Sequence, residues 1–412
     1  MSVAEGAGHV ALRSRELARS IALAVLAFVL AAGLEMLHGD EAPRFDDETQ
    51  GTALPDLPAN VWVELETRNA ALLPAFRTDH GGAVYDPLRN RLFLFGSDTH
   101  LRNFDNGLLE LDLDDLTWRR PRERTPRFTL RTDAAGWRVA GGAGDVPWPM
   151  HGYDSVVYDR KLDRIVVVTG AKHSFVPAPG AQLDPIWAYA PETRDWSRLP
   201  LSGGRPIAFA AGAVYDSTRD VIMAYAALAE DTPFVPLAGE DDAVRTGVWE
   251  LGPDRDRWLL ASDELHHWGW FNAEFDSAHG VMLVFGGRAR DSSVWAYEPA
   301  ASPGAPGRWE RRRPSGDPCP GGHYFPAAYD SKRQVTFFMP YDAERRRTVT
   351  CFYDYSANTT RRLPGAELPD VGQNYTLVYA EREDVLLLAT GSFARNVPTR
   401  VWVLRPALGA LE

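Results

Sequence analysis

The sequence predicts an all-β protein, a closed ring of six four-stranded sheets in the arrangement of a six-bladed β-propeller. The first observation is a repeat: six times along the chain an aromatic residue ends an apolar stretch, and five of the six are followed by Asp. The second is that Trp recurs in the second half of five of the six units. The third is an ordinary globular composition, with 45% hydrophobic and 24% charged residues, which excludes disordered and collagen-like chains. Units that begin roughly 50 to 73 residues apart match propeller blades with loops of variable length.

The repeated aromatic residue marks the end of the first strand of each unit, which we call strand a. The six copies are Tyr85, Tyr158, Tyr215, Phe275, Tyr329 and Tyr379. Asp follows every copy except the last, where Ala380 takes its place. A short carboxylate can accept backbone N–H groups, so we expect this Asp to start a tight turn into strand b.

Two further strands, c and d, complete each unit and carry the recurring Trp residues. Strand c has Trp187, Trp249, Trp295 and Trp402, with Leu109 and Cys351 in the other two copies; strand d has Trp118, Trp196, Trp258 and Trp309, with Thr360 in the fifth. A four-stranded sheet cannot bury both faces alone, so the sheets are expected to stack around a ring. The Trp residues are predicted to fill the wide outer wedge between blades.

The sixth unit ends after strand c, so its strand d must come from elsewhere. The segment Val61–Leu65 carries Trp62 ahead of the first strand a. We predict that this segment closes the sixth blade. The alternative is that residues 60–72 form an extra partial blade.

The N-terminal residues have the pattern of a targeting segment. Three Arg residues precede the apolar run Ile21–Leu34, which at about 14 residues is short for a membrane span but typical of an export signal. We predict a signal peptide or signal anchor over residues 1–37, a polar linker over 38–58 and the propeller over 59–412. Cleaved signal, uncleaved anchor and buried core helix remain alternatives. The protein is expected to be exported, periplasmic or extracellular, with membrane contact only through this segment, which could anchor it in the inner membrane.

Charge and cysteine content narrow the partners. The net charge of −12 and pI ≈ 5.4 predict an acidic surface that repels phosphate backbones, so nucleic acid is not an expected partner. Two cysteines, Cys319 and Cys351, are too few for Cys-rich zinc sites. Whether they form a disulfide is left open. We expect a monomer.

The repeats resemble those of the kelch-type β-propeller family. The resemblance is carried by Phe285-Gly286-Gly287, by the weaker Phe95-Gly96-Ser97 and Thr390-Gly391-Ser392, by the Tyr-Asp pairs and by the Trp spacing. It covers roughly residues 60–405. The family includes the propeller of galactose oxidase, sialic-acid mutarotases and interaction scaffolds, so the resemblance implies the fold but no single function.

A binding site is expected on the face that carries the long loops. Short a–b turns make the opposite face uniform and plain, whereas the insertions at 121–150, 171–185 and 228–246 lie together. The starts of strand a and the adjacent loops place aromatic, His, Lys and Arg residues around the channel mouth, a combination that suits a polar ring-shaped ligand such as a sugar. The candidate ligand-binding residues are His80, His151, Tyr153, Lys172, His173, His267, Trp268, Trp270, Arg288, His323, Tyr324 and Asn374.

These residues predict a binding or interaction module for a protein or carbohydrate ligand, with no cofactor and no metal. One alternative is a carbohydrate-active enzyme of the mutarotase or epimerase kind, which would use His and acidic or Arg residues at the channel mouth. Paired acids for glycosidic cleavage have no local signature, and Asp79 and Glu274 are candidates for them by position only. A second is a galactose-oxidase-like copper enzyme, although no spacing marks its two-His, two-Tyr copper set. A metal held by His80, His151 and His323 is disfavoured because the three do not share one offset from the strand-a aromatic residue. The strand-start residues could also be purely structural, with Trp268 and Trp270 plugging the channel.

Overall fold

The structure is a computed structural model, and it describes residues 54, 56–72, 80–97, 105–126, 129, 131–134, 138–141, 146–168, 185–199, 205–206, 211–226, 244–266, 271–287, 293–322, 325–372, 374–390 and 399–411. The predicted signal or anchor segment, 1–37, lies outside these residues, as does nearly all of the linker. Within the described part of the chain, no helix has the length and apolar character needed to cross a membrane.

The described chain forms a six-bladed all-β propeller. Strand β1 is Val63–Glu64. Blade 1 contains β2 (Gly82–Asp86), β3 (Arg91–Phe95), β4 (Leu108–Asp112) and β5 (Thr117–Arg122), and β6 (Arg131–Thr132) with β7 (Arg138–Val139) forms a small ribbon after it. Blade 2 contains β8 (Val156–Asp159), β9 (Arg164–Val167), β10 (Trp187–Ala190) and β11 (Asp195–Arg198). Blade 3 contains β13 (Ala211–Asp216), β14 (Val221–Ala226), β16 (Gly247–Leu251) and β17 (Trp258–Ser262), accompanied by the short parallel pair β12 (Arg205–Pro206) and β15 (Val244–Arg245).

The second half of the ring repeats this plan. Blade 4 contains β18 (Phe271–Asp276), β19 (Val281–Gly286), β20 (Val294–Glu298) and β21 (Arg308–Arg312). Blade 5 contains β23 (Ala327–Asp330), β24 (Val335–Phe338), β26 (Arg347–Asp354) and β27 (Thr359–Leu368), extended by β22 (Ser315–Gly316) and β25 (Tyr341–Asp342). Blade 6 contains β28 (Leu377–Ala380), β29 (Val385–Thr390) and β30 (Arg400–Leu404), and short 3-10 helices cover Ala70–Leu72 and Leu408–Leu411. The first strand of each blade contacts the first strands of both neighbours, and β28 meets β2, so the ring is closed.

The N-terminal strand closes the sixth blade, as predicted. Strand β1 pairs antiparallel with β30, with Val63 opposite Val403 and Glu64 opposite Trp402. Trp62 is buried, and its indole Nε1 donates a hydrogen bond to Thr350 Oγ1 at 2.9 Å. Because β1 belongs to the sixth sheet, the alternative of an extra partial blade is wrong. Closure joins the two ends of the propeller without a covalent bond.

The repeated Asp residues have the turn-forming role expected from the sequence. Asp86 Oδ1 accepts hydrogen bonds from the backbone N–H groups of Leu88 and Arg89 at 2.9 and 3.2 Å. The corresponding carboxylates of blades 2 to 5 accept the same two backbone bonds; they belong to Asp159, Asp216, Asp276 and Asp330. All five carboxylates are buried. The motif therefore fixes the a–b turns and has no free group for a ligand.

The outer strands carry the Trp residues between blades, as predicted. Trp187 and Trp196 lie edge to face, with ring centroids 6.4 Å apart, in the apolar core shared by blades 1 and 2. In blade 5 Cys351 stands at the Trp position of β26 and forms a disulfide with Cys319, with the two Cα atoms 6.5 Å apart. The question that the sequence left open is thus decided in favour of a bond. It ties the third strand of blade 5 to the segment that precedes its first strand.

Candidate functional site

The candidate site is a cavity of about 400 Å³ on the propeller axis, which we call the axial cavity. The first strands of all six blades line it. The position before the strand-a aromatic residue faces it in each blade, and five of the six copies are apolar there: Val84, Val157, Val214, Ala328 and Val378. Blade 4 has Glu274 at this position. One carboxyl group therefore interrupts an otherwise apolar ring.

Glu274 is held from the side of blade 5. Its Oε2 accepts a hydrogen bond from the backbone N–H of Tyr329 at 3.2 Å. The side chain is half-buried, and desolvation raises the pKa of Glu274 to about 8 despite that hydrogen bond. Burial therefore favours the protonated form of this carboxyl group in the folded protein.

Asp154, in the segment before β8, supplies a second carboxyl group to the axial cavity. Its Oδ2 accepts a hydrogen bond from the backbone N–H of Ala273, and its backbone oxygen accepts one from Ala213 at 2.6 Å. A Cβ on Gly212 would lie 3.1 Å from this Oδ2 and 2.7 Å from the Ala273 Cβ, so the absence of a side chain there makes room for the contact. Burial, with the charge of Glu274 added, raises the pKa of Asp154 well above its ordinary value.

The sequence contained a signal for both groups. Glu274 was a candidate by position only, and Asp154 was not singled out. Aligning the six units shows Glu274 where the other copies have Val or Ala. Four residues before the strand-a aromatic, Asp154 takes the place of Gly81, Ala211, Phe271, Phe325 and Tyr375. A charged residue in one copy of a repeat position that lacks charge in the other copies is therefore the sequence pattern that indicates a site residue.

The end of the axial cavity formed by the a–b turns is polar rather than plain. It is lined by the residues that follow the turn-starting position: Arg160, Ser217, Ser277, Ser331 and Glu381. Arg160 Nη2 lies 2.9 Å from Glu381 Oε2. These residues belong to blades 2 and 6, so their ion pair spans the inner edge of blade 1. Both side chains are partly exposed, and the pair narrows this mouth of the cavity.

Three of the predicted site residues come together at the other end. The rings of His80 and His151 stack with centroids 4.4 Å apart, and a 3.0 Å hydrogen bond joins His151 Nδ1 to the Tyr153 hydroxyl. Tyr153 lies edge to face on Tyr375, which lines the axial cavity, at 5.3 Å. All four side chains are buried. The cluster therefore forms a wall behind the cavity lining.

Asn374, also predicted for the channel mouth, makes hydrogen bonds within its own blade. Its Nδ2 donates to the Ala389 carbonyl oxygen at 2.9 Å, and its Oδ1 accepts from the backbone N–H of Thr376 at 2.7 Å. The remaining predicted residues lie outside the described part of the chain: Lys172, His173, His267, Trp268, Trp270, Arg288, His323 and Tyr324. Asp79, the other acidic candidate, lies outside it too. Over the described ranges, no group of three or more His, Cys, Asp or Glu side chains is arranged to hold a metal ion.

Comparison with known proteins yields structural neighbours only. No family model and no curated protein matches the chain. A fungal alcohol oxidase of the AA5 family, solved with copper, is 12% identical over 84% of this chain and 75% of its own, with a TM-score of 0.41. The α-L-arabinofuranosidase Arb93A from Fusarium graminearum is 8% identical over 85% of this chain and 98% of its own, at 0.45. TolB from Acinetobacter baumannii is 10% identical over 77% of this chain and 66% of its own, at 0.41. These similarities carry no functional assignment.

Proposed function

We propose that this protein is an exported kelch-like propeller that acts as a binding module and takes a small polar ligand into its axial cavity. The observation that carries the proposal is the cavity of about 400 Å³ with two carboxyl groups in its wall. That volume lies in the range of small-molecule sites, which combine apolar walls with a few polar groups that orient the ligand. Glu274 and Asp154 are such groups among the apolar first strands.

Two further observations support parts of this proposal. The Cys319–Cys351 disulfide favours an oxidising compartment, in agreement with the export signal expected from residues 1–37. The loop-bearing face, with its predicted His, Trp, Lys and Arg residues, is proposed as the rim of the same site and as the surface for a protein or carbohydrate partner. The monomeric state expected from the sequence remains a prediction.

A calorimetric titration with glucose, galactose and glucuronate tests the binding proposal. Two variants reduce the cavity at different depths: Ala328→Phe in the middle and Ser217→Trp at the turn end. Ser356→Trp, on an exposed turn of blade 5, is the matched control. We expect binding by the wild type and the control and weaker binding by at least one cavity variant. Equal affinities in all four proteins would place the ligand elsewhere.

A carbohydrate-active enzyme of the mutarotase or epimerase kind is the second candidate, and the state of Glu274 favours it. With its pKa raised to about 8, this carboxyl group can donate a proton at neutral pH, as a general acid must. Exchange of sugar anomers, followed by NMR, measures this activity directly. If the wild type accelerates the exchange and Glu274→Gln does not, the result supports the enzyme hypothesis. If the wild type accelerates the exchange of no sugar, the enzyme hypothesis is wrong and the binding module remains the proposed function.

A further inference from the structure

The axial cavity has two carboxyl groups in its wall, those of Asp154 and Glu274. Among the residues that the structure describes, no Lys or Arg forms an ion pair with Asp154 or Glu274. Each carboxyl group accepts one backbone hydrogen bond through one oxygen, from Ala273 or Tyr329. The second oxygen, Asp154 Oδ1 or Glu274 Oε1, accepts none from the described residues. These two oxygens can therefore accept hydrogen bonds from a ligand in the cavity.

The repeat shows that the fold does not require Glu274. The other five blades have Val or Ala at the same ring position, and their first strands still pair with their second strands. The strand pairing of a blade therefore does not depend on a carboxyl group at this position. Strongly perturbed acids in a cleft are more frequent at functional sites than in plain structural positions.

We propose that the axial cavity binds a small organic molecule through a protonated amine, which donates hydrogen bonds to Asp154 Oδ1 and Glu274 Oε1. This inference rests on the proposed function, since it names the ligand class of the same cavity. The ring of Tyr375 lines the cavity at the repeat position that corresponds to Asp154. An aromatic face close to a cation adds a favourable electrostatic contact.

Other ligand classes fit the cavity less well. A metal ion prefers six or more oxygen ligands, or three or more protein ligands of mixed type, and the described residues provide no such group. An anionic ligand would find no positive charge on these two carboxyl groups and would be repelled by either of them once it ionised. An ammonium group has three N–H donors on one compact charge, so two carboxyl groups can share it.

Binding an ammonium ion requires the carboxyl groups to be ionised. Burial raises the pKa of both carboxyl groups, so uptake of R–NH₃⁺ shifts the pair towards its ionised form, and the protons that the pair gives up go to solvent. The charge of Glu274 acts on Asp154, and the backbone N–H groups of Ala273 and Tyr329 donate to Asp154 and Glu274 respectively. The other titratable groups that line the cavity are Arg160 and Glu381, paired at the turn end, and Tyr85, Tyr158, Tyr215, Tyr329, Tyr375 and Tyr379.

A matched pair of ring compounds tests the proposal: 4-aminocyclohexanol and cyclohexane-1,4-diol, which differ by one amine in place of one hydroxyl. Charge-assisted hydrogen bonds predict that the amine binds the wild type at pH 7 about tenfold to a hundredfold more tightly than the diol. Glu274→Gln and Asp154→Asn should each remove most of this preference. Glu310→Gln, on the outermost strand of blade 4, is the control and should keep it.

Proton release gives a second readout that needs no variant. Calorimetry at pH 7 in two buffers of different ionisation enthalpy should show that the wild type releases protons as the amine binds. The affinity for the amine should rise from pH 6 to pH 8, and any affinity for the diol should not change. For the Glu274→Gln, Asp154→Asn and Glu310→Gln variants of the binding comparison, thermal unfolding checks that each protein is folded.

The outcomes separate this inference from the proposed function. If the amine and the diol bind equally, or if the preference survives in the Asp154→Asn/Glu274→Gln double variant, the amine site is wrong while the binding module stands. If the sugars bind and neither ring compound binds, the amine site is again wrong and the binding module stands. If neither the ring compounds nor the sugars bind, both proposals fail.

Discussion

Trp62 is predicted to contribute more to the stability of the propeller than any other residue of Val61–Leu65, the segment that closes the ring. It precedes β1, lies 6% exposed between blades 5 and 6, and packs with Phe352, Leu363 and Leu404. Its Nε1 donates to Thr350 Oγ1, which is also buried. Replacing Trp62 by Ala removes the apolar contact and the hydrogen bond together, whereas Phe keeps most of the ring contact and removes the bond.

The magnitude follows from these two contributions. Truncation of a buried Trp to Ala costs about 3–5 kcal/mol, because the cavity that remains relaxes only in part. Loss of the hydrogen bond, with Thr350 left without its donor in a buried setting, costs about 1–2 kcal/mol. We therefore expect Trp62→Ala to lower the free energy of unfolding by about 4–7 kcal/mol, and Trp62→Phe by about 1–2 kcal/mol.

Urea unfolding followed by Trp fluorescence and far-UV circular dichroism measures both values. Val61→Ala is the control, since Val61 is 41% exposed and its truncation should change stability by less than about 0.5 kcal/mol. If Trp62→Ala unfolds at the same urea concentration as Val61→Ala, β1 does not hold the ring closed and the closure argument is wrong. If the Phe and Ala variants are equally unstable, the contribution comes from the hydrogen bond and not from packing.

Three further perturbations test the fold and the cavity. The double variant Cys319→Ala/Cys351→Ala should lose about 3–4 kcal/mol of unfolding free energy, as expected for a crosslink across a sequence separation of 32 residues; reductant should destabilise the wild type to the same extent and leave the variant unchanged. The pKa of Glu274 is raised from 4.5 to about 8 on folding, so the folded state binds more protons than the unfolded state between these values, and wild-type stability relative to Glu274→Gln should fall as pH rises from 5 to 8. The slope has an upper limit of about 1.4 kcal/mol per pH unit, and a flat or rising difference in pH-dependent thermal unfolding would contradict the raised pKa. Gly212→Ala should cost about 1–3 kcal/mol because its Cβ would meet the Ala273 Cβ at 2.7 Å, whereas Gly252→Ala, with open space around it, should change the urea midpoint little.

The architecture could be predicted from the sequence because each structural role recurs. The Asp after strand a appears five times, and each copy accepts the same pair of backbone hydrogen bonds. The closing strand could be placed because the sixth unit lacks a partner for β30 and Trp62 precedes the first unit. A repeat supplies several independent samples of one environment, so the pattern of side chains in that environment becomes readable without a structure.

The candidate site was less predictable because it consists of departures from the repeat. His80, His151 and Tyr153 were expected to face a ligand, yet they are buried against one another. Close backbone packing explains their burial: a Cβ on Gly152 would lie 2.9 Å from both the Gly82 nitrogen and the Phe95 oxygen, so blades 1 and 2 approach without side chains between them. The sequence identifies which residues start strand a, but the distance between adjacent blades decides whether those residues face the channel or the neighbouring blade.

The repeat also predicts how stability and ligand binding oppose each other at one position. Glu274→Val restores the residue that blades 1, 2, 3 and 6 have at the same place in the ring. Replacing a carboxyl group that has no cationic partner among the described residues with a well-packed apolar side chain should stabilise the protein by about 1–3 kcal/mol at pH 8. The same variant should lose the preference for 4-aminocyclohexanol over the diol. A less stable Glu274→Val protein at pH 8, measured by urea unfolding beside Glu310→Gln, would show that Glu274 is required by the fold, and the case for a ligand-binding carboxyl group would then fail.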